Sequence, residues 1–252
     1  MSKPLVIVKD LTKSYDDHEV VNKISFVVES DEVFGILGPN GAGKTTTLEM
    51  METLRPIDAG QITLDGIDVA TSPQAIKQII GVQPQAAAFH DKQKLREIVA
   101  MFAAAYGVKV DPMPFLAEVG LEAKSEAYAE DLSGGQRQRL SIAVALVHSP
   151  KVLFMDEPTT GLDPQARRNL WDLIQSIRQK GVCVIMTTHY MDEAELLCDR
   201  VAIMDNGKII ALNKPEHLIK QLLDKGFKKQ QPVEQADLED VFIDLTGRGL
   251  RE

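Results

Sequence analysis

The sequence predicts an α/β fold in which a strand-built core is interrupted by a helical block. Three observations predict it. Short apolar runs stop abruptly at glycine-rich or acidic loops, as VFGIL (Val33–Leu37) does before Gly-Pro-Asn-Gly and KVLFMDE does before Pro158. A stretch from about residue 86 to 149 holds Ala- and Leu-rich segments at helical spacing. After it the chain returns to strand, helix, strand.

Taken in order, LVIVKDL and ISFVVE are rich in β-branched residues and flank the polar DDHE. They predict an N-terminal β subdomain. VFGIL reads as a buried strand that feeds a loop, and TTTLEMMETL after that loop reads as a helix. QITLDGIDV is a strand–turn–strand segment. In the helical block, Leu95–Tyr106, Pro114–Val119 and Gly135–Val147 are the predicted helices. KVLFMDE and GVCVIMTTH are two further buried strands. Between them a helix runs from about Pro164 to Lys180, with Asp163 as N-cap, Pro164 at the first helical position and Gly181 as the stop. Leu170, Leu173, Ile174 and Ile177 give it one apolar face, with Trp171 beside that face as packing. RVAIMDNGKII carries Asn-Gly between two apolar runs, a strong hairpin signal. The domain expectation is one nucleotide-binding domain over residues 1–215 and a charged C-terminal extension over 216–252.

Bulk properties exclude several classes. The 252 residues are long enough for a substantial core, with 44% hydrophobic and 26% charged residues. No apolar run approaches the roughly 18 residues of a membrane span. The N-terminus lacks the form of a signal peptide, so a cytoplasmic location is expected. A net charge of −9 argues against broad nucleic-acid binding. Cys183 and Cys198 have no metal-ligand spacing and read as reduced structural thiols.

The chemistry begins at GPNGAGKT: Gly38, Pro39, Asn40, Gly41, Ala42, Gly43, Lys44 and Thr45, followed by Thr46. This is the full G-x-x-x-x-G-K-[ST] pattern, after a strand and before a helix. Glycines let successive backbone N–H groups turn onto a phosphate, and the helix adds its positive end. Lys44 supplies charge to the outer phosphates, and the Thr45 hydroxyl is a ligand for Mg²⁺. VLFMDE ends in Asp156, which would hold the Mg²⁺, and Glu157, which would orient or deprotonate an attacking water. These parts specify a nucleoside triphosphatase or a phosphotransferase.

A second glycine motif, AEDLSGGQRQRL, opens another helix without a following lysine. Ser133 suits an N-cap, and Gly134–Gly135 allow close backbone approach. The segment EAKSEAYAED before it is polar, not a buried strand, so it makes an anion site that holds no nucleotide alone.

LSGGQ (Leu132–Gln136) resembles, without a substitution, the signature of ATP-binding cassette (ABC) proteins. The resemblance runs from about Val6 to Ile210, and seven motifs occur in the family's order. It implies a P-loop NTPase (RecA-like) core with an N-terminal antiparallel β subdomain and an inserted α-helical signature subdomain. It implies that Tyr15 stacks on adenine, beside Val20 and Val21. It implies that Gln85 senses Mg²⁺ and the γ-phosphate, although Gln83 lies two residues away. GLDP, with Asp163, is similar to the family's D-loop, and His189 to its switch histidine. Gly134, Gly135 and Gln136 with Ser133 would then cover the ATP of a second cassette, most simply in a homodimer. The absent membrane part would be a separate permease, placing the chain on the inner face of the membrane. The loop after Gln85 would face that permease, with Phe89 as either an anchor or loop packing.

The tail LEDVFIDLTGRGLRE and the TTGLDP form resemble bacterial ABC-2-type exporters of drugs, ions, lipids or polysaccharides. A soluble ABC ATPase acting on DNA or ribosomes is the alternative. Against it, about 110 residues separate Lys44 from Asp156, too few for long coiled coils, and only one cassette is present. A small-molecule kinase leaves LSGGQ, His189 and Glu157 without a role. Lys220, Lys225, Lys228 and Lys229 form a basic patch interrupted by Asp224, either a solvated face or a contact for anionic lipid.

Overall fold

Two sheets enclose two cores, and the parallel strands of the larger sheet bring their C-terminal ends to one edge. The computed structural model describes residues 3–85 and 88–226. Strands β1 (Pro4–Tyr15), β2 (His18–Glu29), β3 (Val33–Leu37), β4 (Ala59–Leu64) and β5 (Ile67–Asp68) form the N-terminal part, with helix α1 (Lys44–Met51) between β3 and β4. Then come α2 (Pro73–Lys77), β6 (Ile80–Gln83), α3 (Leu95–Ala105), α4 (Pro112–Glu118), α5 (Gly134–Leu146) and β7 (Val152–Asp156). The chain continues through α6 (Pro164–Gln179), β8 (Cys183–Thr188), α7 (Met191–Leu197), β9 (Arg200–Asp205), β10 (Lys208–Asn213) and α8 (Pro215–Asp224).

One sheet is antiparallel with strand order β2-β1-β4-β5, and the other has order β10-β9-β3-β8-β7-β6. In the second sheet β3, β6, β7, β8 and β9 run parallel, and β10 closes the edge antiparallel to β9. The period of two sorts its side chains. Val33, Leu37, Leu153, Met155, Val184 and Met186 enter the core shared with the helices. Phe34, Ile36, Val152, Phe154, Cys183 and Ile185 enter the core shared with the antiparallel sheet and α1. Strands buried on both faces explain the continuous apolar runs in the sequence.

The turns follow their residues. Asp65–Gly66 and Asn206–Gly207 both have positive φ, at 46°, 78°, 45° and 74°, and close the β4–β5 and β9–β10 hairpins. The β1–β2 turn is tighter than the DDHE segment: Tyr15 pairs with His18, leaving only Asp16–Asp17. Asp163 accepts from the N–H groups of Gln165 and Ala166, both at 2.9 Å, and caps α6 as its sequence predicts. Trp171 donates from Nε1 to Glu193 at 3.2 Å.

Four elements were not foreseen: α2, β6, α7 and α8. Strand β6 has four residues and contains Gly81, where a Cβ would stand 2.4 Å from the carbonyl oxygen of Ala145. That glycine lets α5 lie directly against the sheet. Cys183 and Cys198 are both buried and unbonded; burial pushes the Cys183 thiol up to about 12 and raises Cys198 as well. One compact unit runs through Leu218 and a second opens at Ile219. The LEDVFIDLTGRGLRE tail, Lys228 and Lys229 lie outside the described residues. Among the described residues no helix is long and apolar enough to cross a membrane.

Candidate active site

The parallel strands deliver their C-terminal ends to one cleft, the place where open α/β sheets bind ligands. Strand β3 leads into Gly38–Gly43, β7 ends at Asp156, β8 ends just before His189, and β6 ends before Gln85. The cleft encloses about 550 Å³ and is lined by the glycine loop, Lys44, Thr45, Thr46, Gln85, Glu157, Thr160 and His189. That volume suits a nucleotide-sized ligand.

The loop geometry is set by Gly43, the N-cap of α1, with φ of 97°. A side chain there would meet the Val20 carbonyl oxygen at 2.4 Å. Helix α1 carries no acidic residue in its first turn, so its positive end is left for an anion. Lys44 is 4% exposed, and its Nζ donates to the carbonyls of Gly38 at 2.9 Å and Pro39 at 3.1 Å. The same ammonium stands 3.4 Å from Glu157 Oε1. A buried cation fixed beside a glycine turn at a helix N-terminus is an arrangement for phosphate oxygens.

Glu157 leaves β7 with φ of 45°, a left-handed conformation that aims its side chain back into the cleft. Its N–H donates to Thr187 Oγ1 at 3.0 Å, and Thr160 donates to its Oε2 at 3.2 Å. His189 Nδ1 lies 3.1 Å from the same oxygen, off the line of a hydrogen bond. Burial raises the Glu157 carboxyl, but the His189 ring and the Lys44 ammonium outweigh it and hold it below the ordinary range. Glu157 is therefore ionised at neutral pH, as a base must be.

Thr45 Oγ1 lies 3.2 Å from both oxygens of Asp156, and Thr187 donates to Asp156 Oδ1. A hydroxyl and a carboxylate facing each other beside the phosphate cradle are hard oxygen donors and fit Mg²⁺. Gln85 lines the cleft, whereas Gln83 is fully buried in β6, which separates the two candidates.

Other predicted residues lie elsewhere. Tyr15 is 39% exposed and outside the cleft lining; the Lys13 ammonium and the Arg55 guanidinium stand 5.4 and 5.7 Å from its ring centroid. Asp163 is engaged as the α6 cap. Ser133 caps α5: its Oγ accepts from Gln136 N–H at 3.3 Å, and its own N–H donates to Gln136 Oε1 at 3.1 Å. Ser133 and Gly134 are exposed, and none of Ser133–Gln136 touches the cleft of its own chain. Phe89 packs edge-on against Phe102, 6.3 Å between centroids. Sequence reasoning missed Thr160 and Thr187; the paired threonines of TTG and MTTH were the available signal.

Strand, glycine loop, helix N-terminus, buried lysine and the two acids at the end of β7, one strand removed from β3, define a P-loop nucleoside triphosphatase. The family model described as "ABC transporter" matches residues 21–160, and the chain belongs to that family. It is 42% identical over 224 residues to the Nod factor export ATP-binding protein I of Burkholderia pseudomallei, covering 87% of this chain and 74% of that one. The protein of the same name from Rhizobium etli is 42% identical over 219 residues, covering 85% and 69%. Among solved structures, an ATP-binding subunit of an ABC transporter superposes with a TM-score of 0.77 at 28% identity, covering 96% of this chain and 99% of that one. cbiO1 from Clostridium perfringens, part of the ABC transporter complex cbiONQ, gives 0.78 at 28% identity, covering 88% and 94%. The chain is thus an ATP-binding, ATP-hydrolysing subunit of an ABC transporter, a complex with a membrane partner. The DNA- or ribosome-directed alternative is set aside.

Proposed function

We propose that two copies of this chain close head to tail on ATP and drive a separate permease that exports its substrate. The export direction rests on the names of the relatives, and the substrate is chosen by the permease. The closure rests on one observation: the exposed, capped N-terminus of α5 is absent from the nucleotide cleft of its own chain. An anion site with no lysine and no metal ligand is completed by a partner's γ-phosphate, and a two-fold contact makes the completion reciprocal.

In this reading Lys44 and the loop N–H groups hold the β- and γ-phosphates, and Thr45, Asp156 and Gln85 would hold Mg²⁺. The ion, when bound, neutralises charge on the phosphate oxygens. Glu157, ionised and directed by Thr160 and Thr187, takes the proton of the attacking water. His189 stands beside Glu157 and contacts the γ-phosphate. Tyr15 stacks on the base, and Asp163 lies at the facing surface of the second copy.

The test is Glu157→Gln. It is expected to bind ATP, to hydrolyse it about 10²–10⁴-fold more slowly, and to elute as an ATP-dependent dimer in size-exclusion chromatography. A variant that hydrolyses at the normal rate removes Glu157 from the base role; one that stays monomeric with saturating ATP removes the closure.

A further inference from the structure

One buried carboxyl has no part in the mechanism: Glu193, in α7, is 0% exposed. Its Oε1 accepts from the Trp171 Nε1–H of α6 at 3.2 Å, and its Oε2 is buried without a hydrogen bond. The hydroxyls of Thr188, at the end of β8, and of Thr159, in the turn after Glu157, face the same carboxyl. Both threonines are buried. The Thr159 Oγ1, like Glu193 Oε2, meets no hydrogen-bond partner among the described residues.

Further contacts carry this bridge to the cleft. Thr188 Oγ1 accepts from the Tyr190 N–H at 3.0 Å. The Tyr190 ring lies 4.1 Å from the His189 ring, centroid to centroid, and the Arg167 guanidinium of α6 stands 4.5 Å from the Tyr190 centroid. One end of the bridge is the turn that carries Glu157. The other is the loop that carries His189, whose Nδ1 lies 3.1 Å from Glu157.

Glu193 is a poor choice for stability. A buried acid with one oxygen unpaired costs free energy that an apolar side chain of the same shape would not. Burial holds its carboxyl above the ordinary range, with the Thr188 and Thr159 hydroxyls, the Trp171 indole and Arg167 opposing in part. What the polar group supplies is direction: its bond to Trp171 fixes α7 on α6 in one arrangement, where an apolar contact would let the helices slide.

We propose that Glu193 is a positioning residue for ATP hydrolysis: it ties α7 to α6 and to the Thr159 turn, and so holds the His189 ring against Glu157. It touches no reacting atom and acts through His189. The proposal rests on the reading of Glu157 and His189 as the hydrolytic pair and adds the group that sets their spacing.

Steady-state hydrolysis by the full chain tests it, with melting followed alongside. Glu193→Met keeps the shape and removes the acceptor. It should lower kcat about 10–10²-fold, the effect of a misplaced catalytic group, with KM for ATP within about twofold and melting no lower than the parent's. Glu193→Gln can accept from Trp171 and donate to a threonine, so it should recover kcat to within about threefold of the parent. His189→Ala should be slow by itself, and adding Glu193→Met should cost no more than about a further twofold, because both changes remove one interaction. Where Glu193→Met does not fold, Trp171→Phe removes the donor instead and is read in the same way. A parental kcat in Glu193→Met, a Glu193→Gln as slow as Glu193→Met, or a full further loss in the double variant each overturns the proposal. Any of these with His189→Ala still slow sinks the role of Glu193 alone; His189→Ala at the parental rate sinks the reading of the pair.

Discussion

Helices α1 and α5 begin with the same local device and end up doing different work. Each opens on glycines, and neither has an acidic residue in its first turn. At α1 the cap is a left-handed glycine wedged against the Val20 carbonyl, with a buried lysine one residue on and a carboxylate across the cleft. At α5 the cap is Ser133 in extended conformation, locked to Gln136, and Gly134 has open space where a Cβ would go. The first site is complete and rigid; the second is open on the side that faces away from its own chain. A glycine-helix motif thus becomes a nucleotide site only through what the sheet brings to it.

The largest effects separate the two ends by ligand. Lys44→Ala should weaken ATP binding to the isolated chain about 10²-fold, the worth of a lost charge-assisted contact or two, by isothermal titration. Gly134→Asp should leave that binding nearly intact and abolish both ATP-driven dimerisation and hydrolysis, since it sets a carboxylate where the partner's phosphate belongs. Loss of monomer binding in Gly134→Asp would make the two sites alike and break the comparison.

The same contrast has a steric form. Gly43→Ala forces an unfavourable φ and a 2.4 Å approach to backbone, so chemical denaturation should show a loss of about 2 kcal/mol or more. Gly134→Ala should change stability by under about 0.5 kcal/mol, as a surface substitution does. Comparable losses at the two glycines would mean that the α5 end is packed after all.

Much of this was legible in the chain. VFGIL before GPNGAGKT located β3 and α1, Asp163-Pro164 located the start of α6, and Asn206-Gly207 located the last hairpin, because each rests on a local backbone rule. Strand β6 was not legible. IGVQ is four residues long with a glycine in it, and only the contact with α5 shows why that glycine belongs in a strand. The acids and His189 could be listed from motifs, but their mutual geometry could not. That Glu157, Lys44 and His189 meet, with Thr187 donating to Asp156 and receiving Glu157 N–H, depends on the β7–β8 pairing. Glu52 was invisible for the opposite reason: a glutamate in EMMETL looks like a solvated helix position, yet at the end of α1 it is 5% exposed.

The far ends of the two helices sharpen the comparison at smaller amplitude. Thr53, just past α1, has φ of 65° and a buried Oγ1 without a hydrogen bond. A β-branched residue in the left-handed region is strained, and glycine is the ordinary residue where a helix leaves its last turn. Thr53→Gly should therefore stabilise the protein by about 1 kcal/mol, after glycine's own entropic cost. A variant that melts lower would show that Thr53 has a compensating role in α1.

Past the end of α5, His148 stacks on Tyr106 with 3.7 Å between ring centroids, and its Nε2 lies 2.8 Å from the Ile80 carbonyl oxygen. That oxygen only accepts, so Nε2 carries the proton and the buried Nδ1, which has no partner, stays bare. Burial holds the ring below its ordinary range, with the bond to Ile80 opposing in part. The unfolded chain then takes up a proton first as pH falls below about 6.5. The stability contributed by the neutral ring is fully present above that pH and is lost as pH drops through the lower, folded-state value. Partial exposure screens the effect, to under about 1 kcal/mol between pH 7.5 and 5.5. Denaturation of His148→Gln beside the parent at both pH values should show a stability gap that narrows at the lower one. A gap of constant size would mean that the ring docks α5 to β6 through stacking alone, whatever its charge.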